Sequence, residues 1–190
     1  MGTANSMQCA TESLGLSLPG SATALAVSAE KMRYAEETGR TILNLIERDL
    51  KPTDIVTKEA IENCITVLMS SGGSTNLIIH LTAIARRAGI DLKLDEFQKI
   101  SERTRVLVDV KPSGRGTVGI EFHQAGGVPA LMKELEPLLH TGVMTVTGKT
   151  LKENLKDVPP PYRPDVIAPF DKPLKPEGGI AVLHGNLAPP

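Results

Sequence analysis

Aromatic side chains are scarce in this sequence. Phe, Tyr and Trp make up 3% of its 190 residues, and Trp does not occur at all. The core must therefore be built from Leu, Ile, Val, Ala and Met, which argues against a small all-β sandwich rich in aromatic and β-branched pairs. The scarcity also argues against binding nucleic-acid bases by stacking. The net charge of −1 indicates no basic surface for binding DNA or RNA.

Signals for a membrane or for secretion are absent as well. No apolar run approaches the ~18 residues of a membrane-spanning helix, and no basic segment followed by an apolar stretch marks a secretory signal. The two cysteines, Cys9 and Cys64, have no Cys-x-x-Cys partner and no histidine at ligand spacing. They predict buried structural thiols in a reducing, cytoplasmic protein, with a single disulfide as the alternative.

What the sequence does have is helical periodicity. Apolar residues at three- and four-residue spacing predict amphipathic helices. The expected ranges are 7–14, 24–50, 57–69, 77–88, 94–103, 118–124, 128–139 and 150–155. Short apolar runs predict strands at 106–110, 144–147 and 179–183. The predicted class is therefore α/β and helix-rich.

The composition changes after residue 157. Seven of the 14 prolines lie between residues 158 and 176, which predicts a stiff, extended linker. The predicted strand at 179–183 has no partner nearby in the sequence. We therefore expect a partial first domain over residues 1–157, a linker over 158–177 and the start of a second domain over 178–190.

Gly72, Gly73, Ser74, Thr75 and Asn76 form the most suggestive candidate site. Glycines permit close backbone approach, and the free N–H groups at the start of the following helix suit a carboxylate or a phosphate. The alternative is a kink between two packed helices, with Ser74 as an ordinary cap. The segment is not a P-loop, because the Lys-Ser/Thr ending is missing.

Other polar residues are weaker candidates. His80 follows Asn76 by one helical turn and is interpreted as a core histidine rather than a group facing the candidate site. His123 and His140 are interpreted as structural or solvated. The basic loop 111–115 either contacts an anionic substrate or is a solvated turn.

Three segments together resemble the dihydroxy-acid dehydratase and phosphogluconate dehydratase family. The first segment reads Met-Gly-Thr-Ala-Asn-Ser-Met at residues 1–7 and continues with Glu-Ser-Leu-Gly-Leu-Ser-Leu-Pro-Gly at residues 12–20. The second reads Gly-Gly-Ser-Thr-Asn with His-Leu after it, within residues 72–81. The third begins Gly-Gly-Ile-Ala-Val-Leu-His-Gly-Asn and covers residues 178–189. Their order and spacing extend the resemblance over essentially the whole chain. It implies that Gly2, Thr3, Ala4 and Asn5 lie near the family's metal cluster and that residues 72–76 lie near the substrate.

The resemblance implies a hydro-lyase that converts a 2,3-dihydroxy acid, most specifically 2,3-dihydroxyisovalerate of branched-chain amino-acid biosynthesis, to a 2-keto acid. It also implies an iron–sulfur cluster ([2Fe–2S] or [4Fe–4S]), Mg²⁺ and a homodimer. The family's cluster cysteines, Mg²⁺-binding acids and catalytic serine match no position in this sequence. We therefore assign no catalytic or metal-binding residue and expect the chain alone to ligate no cofactor and to be inactive.

The expected fragment is the later part of the family's N-terminal α/β domain and the first strand of a C-terminal β-barrel-like domain. One alternative is a sugar-acid dehydratase of the same family, acting on an aldonate or 6-phosphogluconate. Another is a non-catalytic helical scaffold module. A self-contained module should show no exposed apolar face, whereas a fragment should expose a large apolar patch.

Overall fold

The computed structural model describes residues 2–187. Met1 of the first motif and residues 188–190 at the end of the third motif lie outside the described residues. Helices dominate the described part, as expected. They are α1 (Thr3–Ser13), α2 (Ala29–Glu47), α3 (Pro52–Ile55), α4 (Lys58–Ser71), α5 (Asn76–Arg87), α6 (Leu94–Arg103), α7 (Gly119–Gln124), α8 (Gly127–Glu134) and α9 (Leu151–Leu155), with a 3₁₀ turn at Glu136–Leu138.

The apolar helix α4 is the centre of the packing. Eleven of its 14 residues are buried, and α1, α5 and α6 pack against it. The Thr57 hydroxyl accepts a hydrogen bond from the Ala60 N–H at 3.2 Å and caps its start. Full burial of side chains such as Ile65 and Met69 contributes about 1.5–3 kcal/mol each.

Helix α2 is shorter than the predicted range 24–50. It begins after Ser28, whose hydroxyl accepts a hydrogen bond from the Lys31 N–H at 3.2 Å. The chain reverses beyond its other end at Asp49, which has a φ of 51°. The capping serine and the left-handed residue therefore limit the helix more tightly than its apolar pattern indicates.

No sheet forms within residues 2–187, and the β-structure there consists of isolated bridges. The predicted strand 106–110 is an extended segment, in which Val108 makes an antiparallel bridge to Ile167. The prediction of a strand at 179–183 is wrong. The Gly179 N–H donates to the Met69 carbonyl and the Val182 N–H donates to the Gln98 side chain, so this backbone bonds to a helix end and a side chain.

Part of the proline-rich segment belongs to the core. Val166 and Ile167 are completely buried and pack in one apolar cluster with Leu107 and Leu131. The Ala168 N–H donates to the Leu107 carbonyl at 2.7 Å. The segment is thus fixed to the body at these positions, and the domain boundaries at 157 and 178 stay predictions.

A buried carboxylate fixes the loop between α1 and α2. The Glu12 side chain accepts hydrogen bonds from the Gly20 N–H at 2.7 Å and the Ala22 N–H at 2.8 Å. Burial is the main cause that raises the pKa of Glu12 from 4.5 to about 7, and the two backbone donors partly oppose it. Glu12 therefore titrates near neutral pH in the folded chain.

We expect the substitution Glu12→Gln to change how stability depends on pH. Because the folded-state pKa is raised, the native protein loses stability from this group as the pH rises from 4.5 to about 7. By linkage this loss is about 3 kcal/mol. The free energy of unfolding of Glu12→Gln relative to the native protein should therefore increase over that range in urea titrations. The exposed control Glu37→Gln should show no such increase, and parallel pH profiles for Glu12→Gln and the native protein would contradict the expectation.

Candidate functional site

The first two motifs meet where α1 begins and α4 ends. The hydroxyls of Thr3 and Ser74 are hydrogen-bonded at 3.0 Å, and the Asn76 Nδ2 donates to Thr3 Oγ1 at 2.9 Å. The Ser74 N–H donates to Ser6 Oγ at 3.0 Å. A connected group of hydroxyls and one amide thus joins the start of α1 to the turn that precedes α5.

The backbone of the third motif packs against the same turn, and a glycine on each side makes this contact possible. Gly72 ends α4 with a φ of 59°, a conformation that favours glycine. A Cβ atom on Gly179 would lie 3.0 Å from the Gly72 Cα. The Gly178 N–H donates to the Ser101 carbonyl, and Ser101 Oγ donates to the Ile180 carbonyl at 2.6 Å. Two backbones therefore pass each other at a distance that side chains would prevent.

A cavity of about 360 Å³ opens beside this crossing. Gly72, Gly179 and Ser113 line it, together with the two cationic residues Arg115 and Lys175. Both cations are exposed. The cavity thus combines close backbone approach, a hydroxyl and positive charge, which are the features that suit an anionic ligand.

Asp109 holds the basic loop at the cavity wall. Its carboxylate accepts a hydrogen bond from the Arg115 N–H at 2.7 Å. A Cβ atom on Gly116 would lie 2.7 Å from the same carboxylate, so the loop wraps closely around it. Loop 111–115 lines the cavity with Ser113 and Arg115 while most of its residues are exposed, so both interpretations of this loop stay predictions.

A second cavity, of about 530 Å³, lies on another side of α1 and is lined by Asn5, Thr23 and Lys31 among others. At its edge the Thr23 hydroxyl is 2.9 Å from His123 Nδ1, and His123 Nε2 is 2.8 Å from Glu30 Oε2. Sequence patterns do not indicate this chain of polar groups, because its members are up to 100 residues apart.

The structure separates the residues that were expected near the cluster. Thr3 lies on the side of the Gly72–Asn76 turn, whereas Asn5 lines the second cavity. Gly2 and Ala4 are exposed at the start of α1, and Thr75 is exposed in the turn. The first motif therefore contacts the Gly72–Asn76 turn through Thr3 and lines the second cavity through Asn5.

The interpretation of His80 as a core histidine is wrong, since this residue is exposed on α5. The buried stripe of α5 consists of Leu77, Leu81 and Ala85, and His80 falls outside it. His140 makes a polar contact instead of a core contact, with its Nε2 2.8 Å from Glu62 Oε2.

Comparison with known proteins adds the observation that decides the family. Residues 1–154 match the family described as dihydroxy-acid/6-phosphogluconate dehydratase, N-terminal. The chain belongs to this dehydratase family. Dihydroxy-acid dehydratase of Sulfurisphaera tokodaii is 51% identical over 98% of the chain, and those of Polaromonas sp. and Synechococcus sp. are 47% and 48% identical over 100% and 99%. The chain spans 34% of the length of each of these relatives.

The described residues contain no set of ligands for the metal groups that the resemblance implies. Within residues 2–187, no group of three or more His, Cys, Asp or Glu side chains is placed to hold a metal ion. Cys9 and Cys64 are buried and form no disulfide, and burial raises the pKa of each thiol to about 12. They are therefore poor sources of the thiolates that iron–sulfur clusters require.

None of the helices within the described residues is long and apolar enough to cross a membrane.

We expect Gly179→Ala to loosen the contact between the second and third motifs. The added Cβ would meet the Gly72 backbone at 3.0 Å and the Met69 carbonyl oxygen at 3.4 Å, and overpacking of this kind costs about 1–3 kcal/mol. Hydrogen exchange at the Gly178 and Gly179 amides should become faster. Gly185→Ala is the matched control, because a Cβ there meets nothing within 4 Å. Unchanged exchange in Gly179→Ala would show that the close approach is not required.

Proposed function

We propose that the chain forms part of the active site of a hydro-lyase that dehydrates a 2,3-dihydroxy acid to a 2-keto acid, with 2,3-dihydroxyisovalerate of branched-chain amino-acid biosynthesis as the substrate. The three curated relatives are all named dihydroxy-acid dehydratase. The observation that carries the proposal is the meeting of the three motifs at the Gly72–Asn76 turn, beside a cavity that the second and third motifs line with Gly72 and Gly179. A scaffold has no need for this convergence of glycines, hydroxyls and cations.

The cavity chemistry fits the substrate class. A 2,3-dihydroxy acid carries one carboxylate and two neighbouring hydroxyls, so it needs cationic and neutral hydrogen-bonding partners at different positions. We assign the carboxylate to Arg115 and Lys175, which both line the cavity. The polar groups of Ser74 and Asn76 lie at the adjoining start of α5 and orient the hydroxyls.

The proposed function includes an iron–sulfur cluster and Mg²⁺, to which we assign no step of the reaction. We propose that the iron–sulfur cluster and Mg²⁺ are ligated by polypeptide other than residues 2–187, because these residues offer no suitable group of ligands. Residues after Gly178 are proposed to lead into a second, barrel-like domain. Leu183 and Leu187, which are 89% and 98% exposed, support such a continuation. We also propose that the whole enzyme is a homodimer located in the cytoplasm.

The scaffold alternative is not favoured by the surface of the protein. A self-contained module was expected to have no exposed apolar face, yet α2 exposes Met32, Ile42, Leu43 and Ile46 by 49–70%. Surface of this kind is typical of a contact with another polypeptide segment. The sugar-acid alternative keeps the same type of reaction and differs only in its substrate. The experiment below distinguishes it from the main proposal.

A chimera tests the proposed activity. The aligned third of the Sulfurisphaera tokodaii enzyme, which is 51% identical, is replaced by this chain, and 2-keto acid formation is measured. We expect turnover of 2,3-dihydroxyisovalerate to exceed that of gluconate and 6-phosphogluconate. A preference for either sugar acid would support the alternative. A folded chimera with its cluster but without turnover would contradict the proposal, and the isolated chain reconstituted with iron and sulfide is the negative control.

In the active chimera, Arg115→Met should weaken substrate binding. Removal of a hydrogen bond to a charged group costs about 1.5–3 kcal/mol, which corresponds to a roughly ten- to hundredfold rise in KM. We expect kcat to fall much less, since Arg115 is assigned to the carboxylate and not to the reacting atoms. Arg33→Met on the exposed surface of α2 is the matched control. An unchanged KM would remove Arg115 from the site without affecting the proposed reaction.

A further inference from the structure

A threonine, a histidine and a glutamate form a hydrogen-bonded chain beside the cavity of about 530 Å³. The Thr23 hydroxyl is 2.9 Å from His123 Nδ1, and His123 Nε2 is 2.8 Å from Glu30 Oε2. A hydroxyl next to a base that a third group orients is the arrangement that activates a nucleophile for acyl transfer. Such triads occur on unrelated folds and are recognised by their geometry rather than by sequence position.

The hydrogen bonds of His123 set the direction in which a proton can move. An ionised carboxylate only accepts hydrogen bonds, so the Nε2 atom that faces Glu30 carries the ring proton. The Nδ1 atom of a neutral imidazole is then left to accept a hydrogen bond, and the Thr23 hydroxyl donates it. His123 is thus placed to take the proton of the Thr23 hydroxyl as a general base, while Glu30 keeps the ring in this orientation.

Each member of the chain is held by a different part of the fold. Thr23 lies in the loop between α1 and α2, one residue after Ala22, whose N–H donates to the buried Glu12 carboxylate at 2.8 Å. His123 lies in the last turn of α7, and Glu30 lies in the first turn of α2. The side chain of His123 is 23% exposed, whereas Thr23 lines the cavity. The base is therefore largely shielded from solvent next to a hydroxyl that a ligand can reach.

The start of α8 adjoins the same hydroxyl. A Cβ atom on Gly127 would lie 2.5 Å from Thr23 Oγ1, so the glycine leaves room for the hydroxyl. Gly126 precedes α8 and makes no side-chain hydrogen bond to it. The N–H groups at the start of a helix favour negative charge. Such charge develops on the carbonyl oxygen when a hydroxyl attacks an ester.

We propose that Thr23, His123 and Glu30 hydrolyse small carboxylic esters that bind in this cavity. His123 takes the proton of the Thr23 hydroxyl while Thr23 Oγ1 forms a bond to the ester carbonyl carbon. The bond to the leaving alkoxide breaks, and His123 gives the proton to that oxygen. A water molecule then attacks the acyl-threonine ester by the same route, which releases the carboxylic acid and restores Thr23. This inference does not depend on the proposed dehydration.

The lining of the cavity indicates an ester with a short apolar acyl group. Leu25, Ile120 and Phe122 contribute apolar surface, while Gln8 and Lys31 contribute polar groups. We assign the acyl chain to the apolar side, where its burial favours binding. The polar groups suit the oxygen atoms of the leaving group. An ester of a short alkanoic acid with a polar leaving group, such as p-nitrophenyl butyrate, is therefore the appropriate probe.

Hydrolysis of p-nitrophenyl butyrate by the whole chain tests the proposal. We expect release of p-nitrophenol and, after rapid acid quenching, a butyryl group on Thr23 in peptide mass spectra. Thr23→Val should lose both signals, and Thr23→Ser should retain both, because serine keeps the hydroxyl. His123→Gln should slow release at least roughly a hundredfold, since a general base contributes about that much or more.

Glu30 is a positioning residue, so its variant has a different signature. Glu30→Gln should lower kcat and leave KM almost unchanged, because Glu30 orients the base and does not contact the ester. His140→Gln is the matched control. His140 also lies 2.8 Å from a carboxylate, that of Glu62, but it lies outside the lining of the cavity. This variant should hydrolyse the ester like the native chain.

The site of acylation decides the outcome even where a variant fails to fold. Far-UV spectra and urea unfolding identify any such variant, and the position of the butyryl group in the native chain is then sufficient. Absence of p-nitrophenol release by the native chain would overturn the proposal. Equal release by folded Thr23→Val, or a butyryl group only on lysines or other residues, would overturn it as well.

Discussion

The burial of α4 on almost every side is the constraint on which the rest of the structure depends. Because α1, α5 and α6 surround this helix, the chain can leave its C-terminal end only through a tight reversal. Gly72 makes that reversal in a left-handed conformation, and the backbone at Gly179 crosses directly over it. The candidate site is thus a consequence of how an apolar helix ends inside the protein.

Backbone and side chains have different roles in the candidate site. The glycines bring separate segments within contact distance, while Thr3, Ser74 and Asn76 satisfy one another's hydrogen bonds. The cationic groups are on loops next to the crossing, where Asp109 holds the Arg115 backbone. The cationic side chains on these loops thus lie at the cavity beside closely packed backbone. Ligand sites often place binding residues on loops next to a fixed scaffold in this way.

Local rules predicted the local structure well. Thr57 and Thr150 cap α4 and α9, and Thr150 and Glu153 form a capping box. The helix-rich class and the burial of both cysteines without a disulfide are confirmed as well. These features depend on neighbours within a few residues, which a sequence shows directly.

The errors arise where distant segments meet. Residues 179–183 have an apolar pattern suited to a strand, but the available backbone partners were the end of α4 and a side chain on α6. His80 lies one position away from a buried stripe, a difference that periodicity resolves poorly. The resemblance indicated which motifs matter, yet only tertiary contacts show that they meet at one turn, that the second and third motifs line one cavity, and that Asn5 lines another.

The polar contacts around α2 explain how an unburied helix can still have a defined position. Lys31 donates to the Ser21 carbonyl at 2.8 Å, and Glu30 contacts His123 at 2.8 Å. The loop that leads into α2 is itself held by the two backbone hydrogen bonds to Glu12. Hydrogen bonds to the body and to the preceding loop therefore orient this helix, although none of its residues is buried.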